Sequence, residues 1–88
     1  MLLNENPDIL SYDSTGYSMY PALKPGDQLI VKPVQDYCKG DIVVFTHGGR
    51  SVTHRFIERN GDILTFLGDR LIYSEKVHVS QVTGKVML

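Results

Sequence analysis

The feature that most limits the folds open to this chain is the close spacing of its turn signals. Glycine and proline recur as Pro21, Pro25-Gly26, Pro33, Gly40, Gly48-Gly49, Asn60-Gly61 and Gly68, and no stretch between them carries a long helical period with caps. Short segments between such residues read as strands. Ile9 to Ser14 suits a short strand, Gln28 to Lys32 another that Pro33 stops, and Ile42 to His47 a third. The unbroken run Ile42-Val43-Val44-Phe45 predicts a strand covered on both faces. Gly48-Gly49 and Asn60-Gly61 are hairpin signals that lead into Ser51 to Arg59 and Asp62 to Leu67, so this part reads as an antiparallel meander. After Leu71-Ile72-Tyr73, residues 76 to 88 alternate around Val77, Val79, Val82 and Val86. The expected fold is all-β, with small antiparallel sheets forming a partly open barrel and at most a helical turn near Tyr20 to Leu23. Residues 1 to 8 read as a loose polar lead-in, and the 88 residues suffice for a single domain with one modest core.

Composition narrows the function classes. Nine Lys+Arg against ten Asp+Glu give a formal charge of −1, which offers no electrostatic case for a nucleic-acid partner. Cys38 is the single cysteine, so no intrachain disulfide or thiolate zinc site can form, and it is expected to be partly buried. No segment approaches the ~20 apolar residues that span a bilayer. The first eight residues lack the basic and apolar regions of a secretory signal, so a cytoplasmic location is expected. Gly-Asp recurs at 26-27, 40-41, 61-62 and 68-69 with unlike flanks. Turn chemistry explains it better than a repeat, with the aspartates bonding to nearby amides. Those aspartates are too dispersed for a calcium loop, and His47 and His78 lack the spacing and third ligand of a metal site with His54. The five tyrosines, Tyr12, Tyr17, Tyr20, Tyr37 and Tyr73, suit half-exposed packing as well as a groove.

Within Gly16-Tyr17-Ser18-Met19-Tyr20-Pro21, the glycine can take backbone angles closed to other residues and the proline restrains its neighbour. Ser18 therefore sits in a tight bend. Such a bend can expose a hydroxyl and aim a main-chain N–H at the same point, as an attacking serine and its oxyanion require. It equally suits a turn serine bonded to its own backbone. In Ser51-Val52-Thr53-His54-Arg55-Phe56-Ile57, strand alternation puts Val52, His54 and Phe56 on one face. His54 is thus either a satisfied core residue or a base for Ser18, depending on whether the two meet.

In order and at plausible spacing, this chain carries Gly16-Tyr17-Ser18-Met19-Tyr20-Pro21, Lys24-Pro25-Gly26-Asp27, Lys39-Gly40-Asp41-Ile42-Val43-Val44-Phe45, Thr53-His54-Arg55-Phe56-Ile57 and Leu67-Gly68-Asp69. The succession resembles the type I signal peptidases and their relatives, the self-cleaving LexA-like repressors. The resemblance implies a serine peptidase with Ser18 as nucleophile and the Ser18 main-chain N–H at the oxyanion. It also implies His54 as base where many relatives use lysine, Asp69 supporting the histidine, and no cofactor. The implied partner is a peptide or protein with small residues before the cut. The histidine and the neighbours of Ser18 look more like the signal-peptidase side.

Three departures stand out. Gly16 occupies a position where many bacterial signal peptidases carry a serine whose hydroxyl helps hold the oxyanion, and no membrane anchor or inserted subdomain is found. The chain thus reads as a stripped catalytic core, either a soluble leader-processing enzyme or one that depends on a membrane-associated partner. Two other readings are a non-catalytic module that binds a peptide strand, and a self-cleaving regulator. The second is weakened by the lack of DNA-binding helices and of an Ala-Gly pair before Ser18. Because a histidine base works without the desolvation a lysine base needs, peptidase activity is expected to rise with pH through roughly 6 to 7 and then level off. An ascending limb above about pH 8 in a pH–rate profile would point to a lysine-type base instead.

Overall fold

The computed structural model describes residues 10–13 and 16–87, so the lead-in expected over residues 1 to 8 lies outside the described residues. Seven strands form one sheet: β1 (Leu10–Asp13), β2 (Gln28–Lys32), β3 (Ile42–His47), β4 (Arg50–Asn60), β5 (Ile63–Leu67), β6 (Glu75–His78) and β7 (Val82–Met87). Their order across the sheet is β1-β2-β7-β3-β4-β5-β6, and every pairing is antiparallel. The meander read from the two hairpin signals is β3 to β5, which β6 extends by pairing with β5, and the all-β expectation holds. Among the described residues no helix is long and apolar enough to cross a membrane.

The two-residue turns set the register. His47 pairs with Arg50 around Gly48-Gly49, both with positive φ, and Asn60 pairs with Ile63 around Gly61-Asp62. The second turn lies one residue beyond the Asn60-Gly61 dipeptide. Gly61 takes its first central position with φ +63°, as in a type II′ turn. A register shift between Phe56 and Glu58 leaves Ile57 as the extra residue of a bulge, which bends β4.

The return from β6 to β7 forces the sheet to curl. Only Val79–Gln81, a 3-10 turn, separates the two strands, yet β3, β4 and β5 stand between them in the sheet. Four flat strand spacings would need about 19 Å, whereas the turn advances about 8 Å. The sheet therefore rolls toward closure, which is the open-barrel expectation in physical form. The same turn interrupts the alternation expected over residues 76 to 88, and Leu71-Ile72-Tyr73 lies in the loop between β5 and β6.

Two hydrophobic clusters lie on opposite faces, and β3 serves both. Val43 and Phe45 join Phe56, Leu64, Phe66 and Val77 on the concave side, with Val79 and Val82 packed against them. The rings of Phe45 and Phe66 stack with centroids 4.3 Å apart. Ile42 and Val44 join Leu29, Val31, Val86, Met19 and Leu23 on the other face. This double burial is what the apolar run of β3 predicts. Cys38 is exposed rather than partly buried, because it sits in the irregular segment between β2 and β3, where its N–H donates to Asp41 Oδ2.

Gly84 marks a close approach. A Cβ there would stand 2.7 Å from the main-chain oxygen of Lys32, where β7 meets the end of β2. Gly84→Ala is expected to cost about 1–3 kcal/mol, since backbone rather than a side-chain end must move. A urea denaturation midpoint equal to wild type would show that the two strands separate more easily than this contact implies.

Candidate active site

The segment 16–23 is a bend closed by two main-chain hydrogen bonds, Tyr20 N–H to Tyr17 O (3.0 Å) and Leu23 N–H to Met19 O (2.9 Å). This is the short helical turn expected near Tyr20. Gly16 enters it at φ +76°, and the Tyr20–Pro21 bond is cis. Met19 and Leu23, both buried, anchor the bend in the cluster beneath β2, β7 and β3. Ser18, between exposed Tyr17 and buried Met19, is thereby held at a fixed height over the sheet.

Strand alternation turns His54 onto the concave face, where it is 5 % exposed and meets the ring of Phe45 edge-on at 6.0 Å. Its Nε2 lies 3.0 Å from Ser18 Oγ. Its Nδ1 lies 2.8 Å from Oε1 of Glu75. An ionised carboxylate can only accept, so in the neutral imidazole Nδ1–H donates to Glu75 and Nε2 is left to accept from the Ser18 hydroxyl. Serine, histidine and carboxylate thus form one hydrogen-bonded line, the arrangement in which a hydroxyl can be activated as a nucleophile.

Asp69 does not stand where the sequence resemblance led us to expect it. Its carboxylate takes both arms of Arg55, from Nε at 2.9 Å and from Nη2 at 2.7 Å. Arg55 follows His54 on β4, so the two side chains leave opposite faces, and a carboxylate held by one is turned away from Nδ1 of the other. Glu75 fills that place through register. Phe56 pairs with Phe66, and Phe66 pairs with Glu75, so the three share a row across β4, β5 and β6 on the face of His54. No local motif marks Glu75. The signal that could have found it is this count across two hairpins, which needs the bulge at Ile57 to be placed correctly.

The Gly-Asp boxes divide their work. Asp27 accepts from Lys24 N–H and Asp41 from Cys38 N–H, each at 2.9 Å and three residues back, as turn chemistry predicts. Arg55 joins two boxes, since its Nη1 also donates to Gly40 O at 2.8 Å. Of the tyrosines, Tyr17, Tyr20 and Tyr73 are exposed, while Tyr37 packs its ring against Phe56. Burial, with Asp41 nearby, raises the Tyr37 phenol above its ordinary range. His78 Nδ1 is engaged with Ser80, and among the described residues no three His, Cys, Asp or Glu side chains gather as a metal-holding group.

Hydrogen bonding from Arg55 holds the Asp69 carboxyl below the usual carboxylate range and raises the guanidinium in turn. A carboxyl depressed in the folded state stabilises above its free value and loses that contribution as pH falls through the folded one. Asp69→Asn is therefore expected to lower stability by about 0.5–1 kcal/mol at pH 7 for this partly exposed pair. The difference should shrink as pH falls below about 4, and an unfolding midpoint difference that grows on acidification would contradict this account.

No match is found among curated proteins. The family model described as Peptidase S24-like matches residues 2–87, nearly the whole chain, and this protein therefore belongs to the peptidase S24-like family.

Proposed function

We propose that this chain is a serine endopeptidase of the signal-peptidase kind, with Ser18 as nucleophile, His54 as general base and acid, and Glu75 as the carboxylate that orients the imidazole. The observation that carries this reading is the 3.0 Å approach of Ser18 Oγ to His54 Nε2, with Nδ1 tied to Glu75. Ser18 Oγ attacks the scissile carbonyl as its proton passes to Nε2. The resulting oxyanion is stabilised by the Ser18 main-chain N–H. Collapse breaks the C–N bond, with the Nε2 proton going to the leaving amine, and leaves an ester on Ser18. Water then attacks the ester, giving its proton to Nε2, and the acid leaves as Ser18 Oγ recovers that proton.

The substrate is a leader-like peptide or protein segment with small residues at the first and third positions before the cut, as the resemblance to signal peptidases suggests. Family membership supports the peptidase chemistry, and a histidine base is supported by the tautomer that Glu75 enforces.

Ser18→Ala and His54→Ala are each expected to lose about 10³-fold or more in peptide cleavage, with the double variant little worse, because parts of one catalytic unit are not additive. Glu75→Gln should cost about 10²-fold or more by admitting the wrong tautomer, while Asp69→Asn costs less than about tenfold. An active-site serine probe gives the same ranking cheaply. Labelling independent of Ser18, or a larger loss at Asp69 than at Glu75, would refute these roles; peptide binding without labelling would mark a non-catalytic module.

A further inference from the structure

The short segment after β5 touches both halves of the site. Gly68 lies against the His54 ring, the Asp69 side chain grips Arg55 on the same strand, and Asp69 N–H points at Met19 Sδ at 3.4 Å. Arg70 N–H donates to Ser18 O at 2.9 Å, and its guanidinium lies over the Tyr20 ring at 5.9 Å. A main-chain bond from Leu71 N–H to Gly68 O, also 2.9 Å, holds the segment in a turn. Three consecutive residues thus contact, in order, the base, the strand that carries it and the turn that carries the serine.

Gly68 is the critical contact. Unlike Gly16, it does not have the positive φ that would demand glycine, and it is buried. Its constraint is space. A Cβ there would stand 3.0 Å from Nε2 and 3.1 Å from Cδ2 of His54, and 2.9 Å from Cδ1 of Leu71. The Leu71 contact is with the end of a half-exposed side chain that can swing away. The imidazole has no such freedom, because Ser18 and Glu75 hold its two nitrogens and Phe45 meets its edge.

We propose that Gly68-Asp69-Arg70 is a positioning strap that registers Ser18 against His54, and that residue 68 is glycine because a Cβ there would crowd the imidazole, which would have to shift by a few tenths of an ångström. This rests on the peptidase reading for its catalytic meaning, but the packing claim stands apart from it. A methyl group at 68 pushes Nε2 away from Ser18 Oγ while leaving the strands paired. Misplacement of a reacting group is amplified in rate far beyond its effect on stability.

The test compares wild type, Gly68→Ala, Leu71→Ala and Gly68→Ala/Leu71→Ala in two readouts. One is the rate of labelling by a phosphonate serine probe; the other is the NMR shifts of the His54 ring nitrogens. Gly68→Ala is expected to slow labelling by roughly 10- to 100-fold and to move the ring shifts, with a smaller loss of unfolding midpoint than Gly84→Ala. Adding Leu71→Ala should restore neither labelling nor shifts. Wild-type shifts and rate in Gly68→Ala would overturn the proposal, as would their recovery in the double variant, which would assign the crowding to Leu71. If Gly68→Ala does not fold, the double variant's ring shifts decide against Leu71→Ala alone, and identical shifts overturn the proposal. If wild type is not labelled yet Gly68→Ala moves the ring shifts, the peptidase reading fails and the packing claim holds.

Discussion

The short return between β6 and β7 is the constraint on which the rest depends. A flat sheet in this order could not be connected by Val79–Gln81, so the sheet must curl, and curling does two things at once. It closes Phe45, Phe56, Leu64, Phe66 and Val77 into a core that 88 residues could not otherwise enclose on that face. It also turns the concave side chains of non-adjacent strands toward one another. His54 on β4 and Glu75 on β6 are two strands apart, yet their polar atoms come within 2.8 Å.

Burial gives that contact its directional force. His54 stands at the margin of an apolar cluster, where unpaired polar atoms are costly, and both its nitrogens are engaged. The same arrangement that satisfies a buried histidine fixes its tautomer. Arg55, one residue on, plays the complementary part on the other face: its planar fork matches the Asp69 carboxylate and a third donor reaches Gly40. Alternation along β4 thus separates a structural ion pair from the serine-facing line.

Much of this was legible in the chain because it rests on local rules. The doubly covered β3 follows from an apolar run with no polar interruption, the hairpins from Gly48-Gly49 and Asn60-Gly61, and the Ser18 bend from Gly16 and Pro21. The pairing of Asp27 and Asp41 with amides three residues back is ordinary turn chemistry. Glu75 was not legible, because its contact depends on two hairpin registers and a bulge, and an error of one residue would send its side chain to the other face. Asp69 misled for a different reason: its role was carried over from the resemblance, whereas here its carboxylate is bound by Arg55, whose side chain leaves the face of β4 opposite to His54.

The two halves of the serine-histidine line are rooted in different cores. Ser18 is fastened through Met19 and Leu23 to the cluster that holds Ile42 and Val44, while His54 rests beside the cluster that holds Val43 and Phe45. β3 contributes two buried side chains to each, and β7 adds Val86 to one and Val82 to the edge of the other, because successive side chains on a strand face opposite ways. The hydroxyl and the imidazole are consequently placed by two different sets of packed side chains. Their coincidence reports whether both are intact, so substitutions deep in either cluster, remote from every reacting atom, would act on the site as a logical conjunction: whichever packing is looser governs how often the pair is in register.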